Sequence, residues 1–132
     1  MLLEEGLEQV FSRHRRLADA ARAAVKAWEL ELNALNPGEY SNSLTAVLLP
    51  QGHDADEFRK VVLENFNVSL GNGLGRLSGK LFRIGHLGDF NDPMLLGTVG
   101  SIEMGLELAQ IPHRQEGVRA AMNSLVENSR IS

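Results

Sequence analysis

The longest regular pattern of apolar positions opens the chain. Leu3, Leu7, Val10, His14, Leu17, Ala21, Ala24 with Val25, and Trp28 step by four and three residues, and this spacing predicts a helix from Leu2 to about Asn33. At a rise of 1.5 Å per residue such a helix spans about 45 Å, more than the width of the domain the remaining chain can build. Part of it therefore needs a packing surface beyond that domain. His14 and the alanines make a poor zipper seam, so the pattern favours a helix that packs on a neighbouring body or on a second copy.

The rest of the chain alternates shorter patterns. Turn chemistry at Asn36-Pro37-Gly38 ends the helix, and Ser43 to Leu49 is apolar and β-branched enough for a buried strand, closed by Pro50 and Gly52. Asp54 with Glu57 forms a capping-box pattern that opens a helix to about Asn65, with Phe58, Val61, Val62 and Phe66 facing inward. Asn67 to Leu70 reads as a brief strand, Gly71 to Gly75 as a glycine-rich loop and Leu81 to Leu87 as a short buried strand. Asn91 or Asp92 then caps a helix with Pro93 in its first turn and Leu95, Leu96, Val99, Ile102, Leu106 and Ala109 on its apolar side. Gly97, Gly100 and Gly105 each cost about 1 kcal/mol against alanine inside a helix, which predicts close packing there. Ile111-Pro112-His113 breaks the chain, and a last helix from Glu116 to about Val126 presents Val118, Met122, Leu125 and Val126 inward.

The predicted order is α β α β β α α. It implies an α+β fold, a small and mostly antiparallel sheet covered by helices on one side, with a long bridging helix over 1–33 and an α+β sandwich over 34–132. A chain of 132 residues holds one such domain and no second. A net charge of −4, from 17 acidic and 13 basic residues, argues against a nucleic-acid partner. No apolar run approaches the ~20 residues of a membrane span. The absence of cysteine removes disulfides and thiolate chemistry and makes the cytoplasm the simplest compartment. His14, His53, His86 and His113 are too far apart in sequence to offer a local metal pair.

One residue breaks the apolar pattern of the Leu81 strand. Alternation puts Phe82, Ile84 and His86 on one face, and Leu81, Arg83, Gly85 and Leu87 on the other. An arginine keeps its proton in a protein, and burying its charge unpaired costs several kcal/mol. Its planar fork holds a carboxylate through two parallel bonds. Arg83 thus calls for an acidic partner, either Asp89 or Glu103 within the chain or the acid group of a ligand. The nearby Gly71, Gly73 and Gly75 do not make a phosphate cradle, because such loops run straight into a helix and this one leads to a strand. They read as a turn that lets a substrate approach the backbone.

The run S-L-G-N-G-L-G-R-L-S-G-K-L-F-R-I-G-H-L-G-D-F-N, from Ser69 to Asn91, closely resembles the C-terminal domain of class V pyridoxal-phosphate aminotransferases, specifically the serine–glyoxylate group. The resemblance covers nearly the whole chain. It implies the C-terminal small domain of a fold-type I enzyme, its first helix bridging to a large cofactor-binding domain not contained in this sequence. It also implies that Arg83, which matches the arginine of the R-I-G motif, binds the α-carboxylate of an amino-acid or 2-oxo-acid substrate. The parent enzyme would move an amino group from serine to glyoxylate with pyridoxal phosphate as cofactor. Lys26, Lys60 and Lys80 do not match the family's cofactor lysine, so the resemblance implies no catalytic, cofactor-binding or metal residue in this chain and no cofactor held by it alone. Read from residues only, a stand-alone module that binds carboxylates or dimerises through its first helix remains the alternative.

Overall fold

The structure is a computed structural model that describes residues 2–32, 44–73, 75–85 and 91–129. Helix α1 runs Leu2–Ala27, shorter than the spacing predicts. It stops because Glu29 takes a left-handed conformation, φ 64°. The Leu30 amide then reaches back to the Val25 carbonyl at 3.1 Å and the Glu29 amide to that of Lys26 at 3.0 Å. This pair of bonds closes a helix end that usually uses glycine, so a glutamate there gives no sequence signal. The released chain forms β1, Glu31–Leu32, an edge strand that the apolar pattern had merged into the helix. The side chains of Leu3, Leu7, Val10 and His14, and the turn at 36–38, lie outside the described residues.

Strand β2 is Leu44–Leu48 and helix α2 is Ala55–Phe66. Asp54 caps α2 as its position predicts, but its carboxylate accepts from the Asp56 amide at 2.8 Å instead of forming a reciprocal box with Glu57. Asn67 ends the helix with a left-handed backbone, φ 57°. The segment behind it is therefore not the expected strand at 67–70, and pairing starts later, at β3, Gly71–Asn72. A 3-10 turn at Gly75–Leu77 leads to β4, Leu81–Gly85. Helix α3, Asp92–Leu108, opens with Asn91 accepting from the Met94 amide at 2.9 Å and with proline in its first turn. Helix α4 is Gly117–Glu127.

The sheet is antiparallel throughout, in the order β1-β2-β4-β3. Val47 pairs with Phe82 and Thr45 with Ile84 on the face that meets the helices. That face packs on Leu17, Ala21 and Val25 of α1, Phe58 and Val62 of α2, Leu95, Val99, Ile102 and Leu106 of α3, and Ala121 and Leu125 of α4. The core is thus a single layer of side chains between one sheet face and the helices. Among the described residues no helix is long and apolar enough to cross a membrane.

Of the three glycines in α3, Gly105 carries the close packing that all were expected to share. A Cβ there would lie 2.6 Å from Val62 Cγ2 and 3.2 Å from Phe58 Cε1, so α2 and α3 touch across it. Gly100 leaves ordinary contact with Val118, and nothing approaches Gly97. Helix α4 is rotated from its expected setting. It buries Gly117, Ala121 and Leu125, while Met122 and Val126 are 44% and 73% exposed. Small residues at 117 and 121 allow a close approach that larger apolar side chains would prevent, and this outweighs burying a methionine and a valine.

Arg16 joins three helices. It holds Asp92 at the start of α3 through 2.7 and 2.8 Å bonds, and donates to the carbonyls of Leu125 and Asn128 at the end of α4, at 3.0 and 3.2 Å. A cation suits a helix C-terminus and a carboxylate suits an N-terminus, so both contacts follow the helix dipoles. Arg16→Ala is expected to lower stability by about 1 kcal/mol, read as a shift in the urea midpoint at constant slope.

Candidate functional site

The sheet face opposite the core carries Ala46, Leu48, Leu81 and Arg83. Phe82 and Ile84, fully buried, fix β4 from below, and the Phe82 ring stacks at 5.0 Å and 42° on that of Phe58. Anchored in this way, β4 holds Arg83 outward, half-buried. Its cross-strand neighbours are Ala46 on β2 and Gly71 on β3.

Among the described residues, none forms a hydrogen bond or ion pair with the Arg83 guanidinium. Glu103, one of the two internal partners that sequence allowed, is committed elsewhere. One of its oxygens accepts from Trp28 Nε1 at 2.7 Å and from the Gly117 amide at 2.8 Å. Asp89, the other, lies outside the described residues, as do His86 and Leu87.

The three glycines named from sequence occupy three different settings. Gly71 is a strand residue directly paired with Arg83. Gly73 is buried in the connection to β4, where a Cβ would collide with the Leu77 carbonyl and lie 3.2 Å from Leu81 Cγ, so the turn folds down over Leu81. Gly75 starts the 3-10 turn with φ 58°, a conformation that favours glycine. The open part of the sheet face is therefore bounded at Leu81 by this turn, with Arg83 next along the strand. Ala46 was not singled out by sequence, because which residue lies opposite Arg83 depends on strand register, and no local pattern reports it.

Lys26, Lys60 and Lys80 are exposed, on the last turn of α1, on α2 and just before β4. Among the described residues no group of three or more histidines and acids is placed to hold a metal ion.

No family model matches the chain. An L-aspartate–glyoxylate aminotransferase of Paracoccus denitrificans is 45% identical over 121 residues, which are 91% of this chain and 31% of that enzyme. A serine–glyoxylate aminotransferase of Methylorubrum extorquens is 44% identical over 128 residues, 96% of this chain and 32% of that enzyme. The chain belongs to the class V aminotransferases. The solved pyridoxamine–pyruvate aminotransferase of Mesorhizobium loti superposes on this aminotransferase domain with a TM-score of 0.88 at 29% identity, over 96% of this chain and 33% of that one. The chain thus spans about a third of the length of the relatives it matches. Its α+β architecture is that of the C-terminal domain in these aminotransferases.

Proposed function

We propose that this domain forms the C-terminal part of an amino acid–glyoxylate aminotransferase, and that Arg83 binds the α-carboxylate of the substrate. The observation that carries the reading is a forked cation held outward on a rigid strand, with no acidic partner among the described residues and with Glu103 already bonded to Trp28 and Gly117. A charge displayed in this way has most to gain from an external carboxylate. Two parallel bonds to that group would fix its plane, and with it the attached carbon and amino group. Binding and orienting the substrate is the whole of the role assigned to this chain. Pyridoxal phosphate supplies the electron sink of amino transfer when bound. The lysine and phosphate donors that hold it belong, on this reading, to a large domain that α1 and the open sheet face would contact.

Serine and aspartate are the donors to try first, since the names of the two relatives described above carry both. The product of the complete reading frame, supplied with glyoxylate and either donor, is expected to form glycine. Failure to form glycine with any amino-acid donor would overturn the reading.

A further inference from the structure

Arg83 lies between two of the smallest side chains a sheet can offer, Gly71 on one side and Ala46 on the other. A Cβ added to Gly71 would stand 3.1 Å from Arg83 Cβ and 3.8 Å from both Cγ and Cδ. Directly opposed Cβ atoms in antiparallel pairs usually lie about 4.5–5.5 Å apart, so the approach here is closer than a normal pair permits. The stem of Arg83 leans across position 71 and fills the room that a side chain there would take. Gly71 is not one of the positive-φ glycines, so its backbone does not require glycine. The space does.

We propose that Gly71 is a positioning residue for substrate recognition: by carrying no side chain it sets the course of the Arg83 stem and so the place at which the guanidinium meets the carboxylate. The inference rests on the reading of Arg83 given above. The crowded neighbour is Arg83 Cβ, which is tied to the backbone and cannot swing away as a side-chain tip can. A side chain at 71 must therefore push β3 from β4 or turn Arg83 about its first torsions. The guanidinium sits at the end of a long lever, and a small rotation near Cβ displaces it by ångströms. Misplacement of a recognition group by about 1 Å is enough to impair reaction. Ala46 limits the opposite flank in the same sense, since a larger residue there would cover the arginine from the β2 side.

The test uses the complete aminotransferase with Gly71→Val, Gly71→Ala and Arg83→Ala. Two quantities are read: the inhibition constant of a simple unreactive carboxylate competing with the amino donor, and the ratio of turnover with an amino acid to turnover with an amine lacking a carboxyl group. Gly71→Val is expected to raise the inhibition constant about fivefold and to lower the ratio by a similar factor, with Gly71→Ala moving both the same way by less. A general loss of fold would depress both turnovers together and leave their ratio unmoved, which counts against the inference. If Arg83→Ala weakens the carboxylate but neither Gly71 variant does, the positioning role is overturned and the assignment of Arg83 stands. If Arg83→Ala leaves the inhibition constant unchanged, the assignment itself fails and the inference with it. Should Gly71→Val not accumulate as folded enzyme, Gly71→Ala alone decides, because it adds a single methyl group at the crowded point.

Discussion

On the function proposed above, Arg83→Ala in the product of the complete reading frame is expected to lower kcat/KM for the amino-acid donor at least tenfold, about 1.4 kcal/mol or more of transition-state binding. The direction follows from what the side chain provides. Removing it leaves the open sheet face of this domain with Ala46, Leu48 and Leu81 around the vacated position, none of which donates a side-chain hydrogen bond. The fold should not suffer in proportion, because the Arg83 side chain is half-buried and bonds to no described residue, whereas Phe82 and Ile84 on either side of it are fully buried. Arg83→Lys is expected to restore little, since a point charge cannot form the paired, planar contact of a guanidinium. Initial rates across a range of donor concentrations, with urea midpoints for the same variants, separate lost binding from lost stability. Unaltered kcat/KM in the alanine variant would remove Arg83 from the site.

Much of this site was legible before any coordinates. Strand alternation alone separates Arg83 from Phe82 and Ile84, and a charged residue on an otherwise apolar strand declares itself. The run from Ser69 to Asn91, which carries the family likeness, holds β3, β4 with the arginine, and the glycines between them. What alternation does not report is register. That Arg83 faces Gly71 and Ala46 is decided by hairpin geometry through the turn at Gly75–Leu77 and by pairing with a strand far away in sequence.

The fold departs from the sequence pattern for more than one physical reason. Glu29 follows the end of α1 in a left-handed conformation, φ 64°, at a position where glycine or asparagine would have signalled a stop. That conformation sets the end of α1 and releases β1. The setting of α4 departs from the pattern for a different reason. Weighing large apolar residues favours burying Met122 and Val126, but the helix is seated by its smallest residues, Gly117 and Ala121. There a close approach between elements overrode a local preference that was real but weak.

Trp28→Ala is expected to be the most destabilising single change in the domain, by about 3–5 kcal/mol, a large share of the stability such a domain possesses. Trp28 is fully buried and follows the last residue of α1. Its indole donates to Glu103 in α3 at 2.7 Å, and its carbonyl accepts from the Arg114 amide at 3.1 Å just before α4. The Glu103 oxygen that takes the indole hydrogen also takes that of the Gly117 amide at 2.8 Å. Glu116, at the N-cap of α4, makes no side-chain capping bond. A carboxylate from α3 therefore does that work, placed at the positive end of the α4 dipole. Gly117 has to lack a side chain, since a Cβ there would collide with the indole ring. Alanine at 28 would open a cavity at the junction of three helices and leave the Glu103 carboxylate one donor short. Trp28→Phe divides the two effects: it keeps most of the volume but loses the N–H, so about 1–2 kcal/mol of its cost is expected from the missing bond. Gly117→Ala approaches the same junction from the other side and is expected to cost about 1–3 kcal/mol by overpacking. Urea midpoints for the three variants give the comparison. A Trp28→Ala loss no larger than that of Trp28→Phe would mean that the indole ring itself contributes little, and that α1, α3 and α4 are held together mainly by the clasp of Arg16.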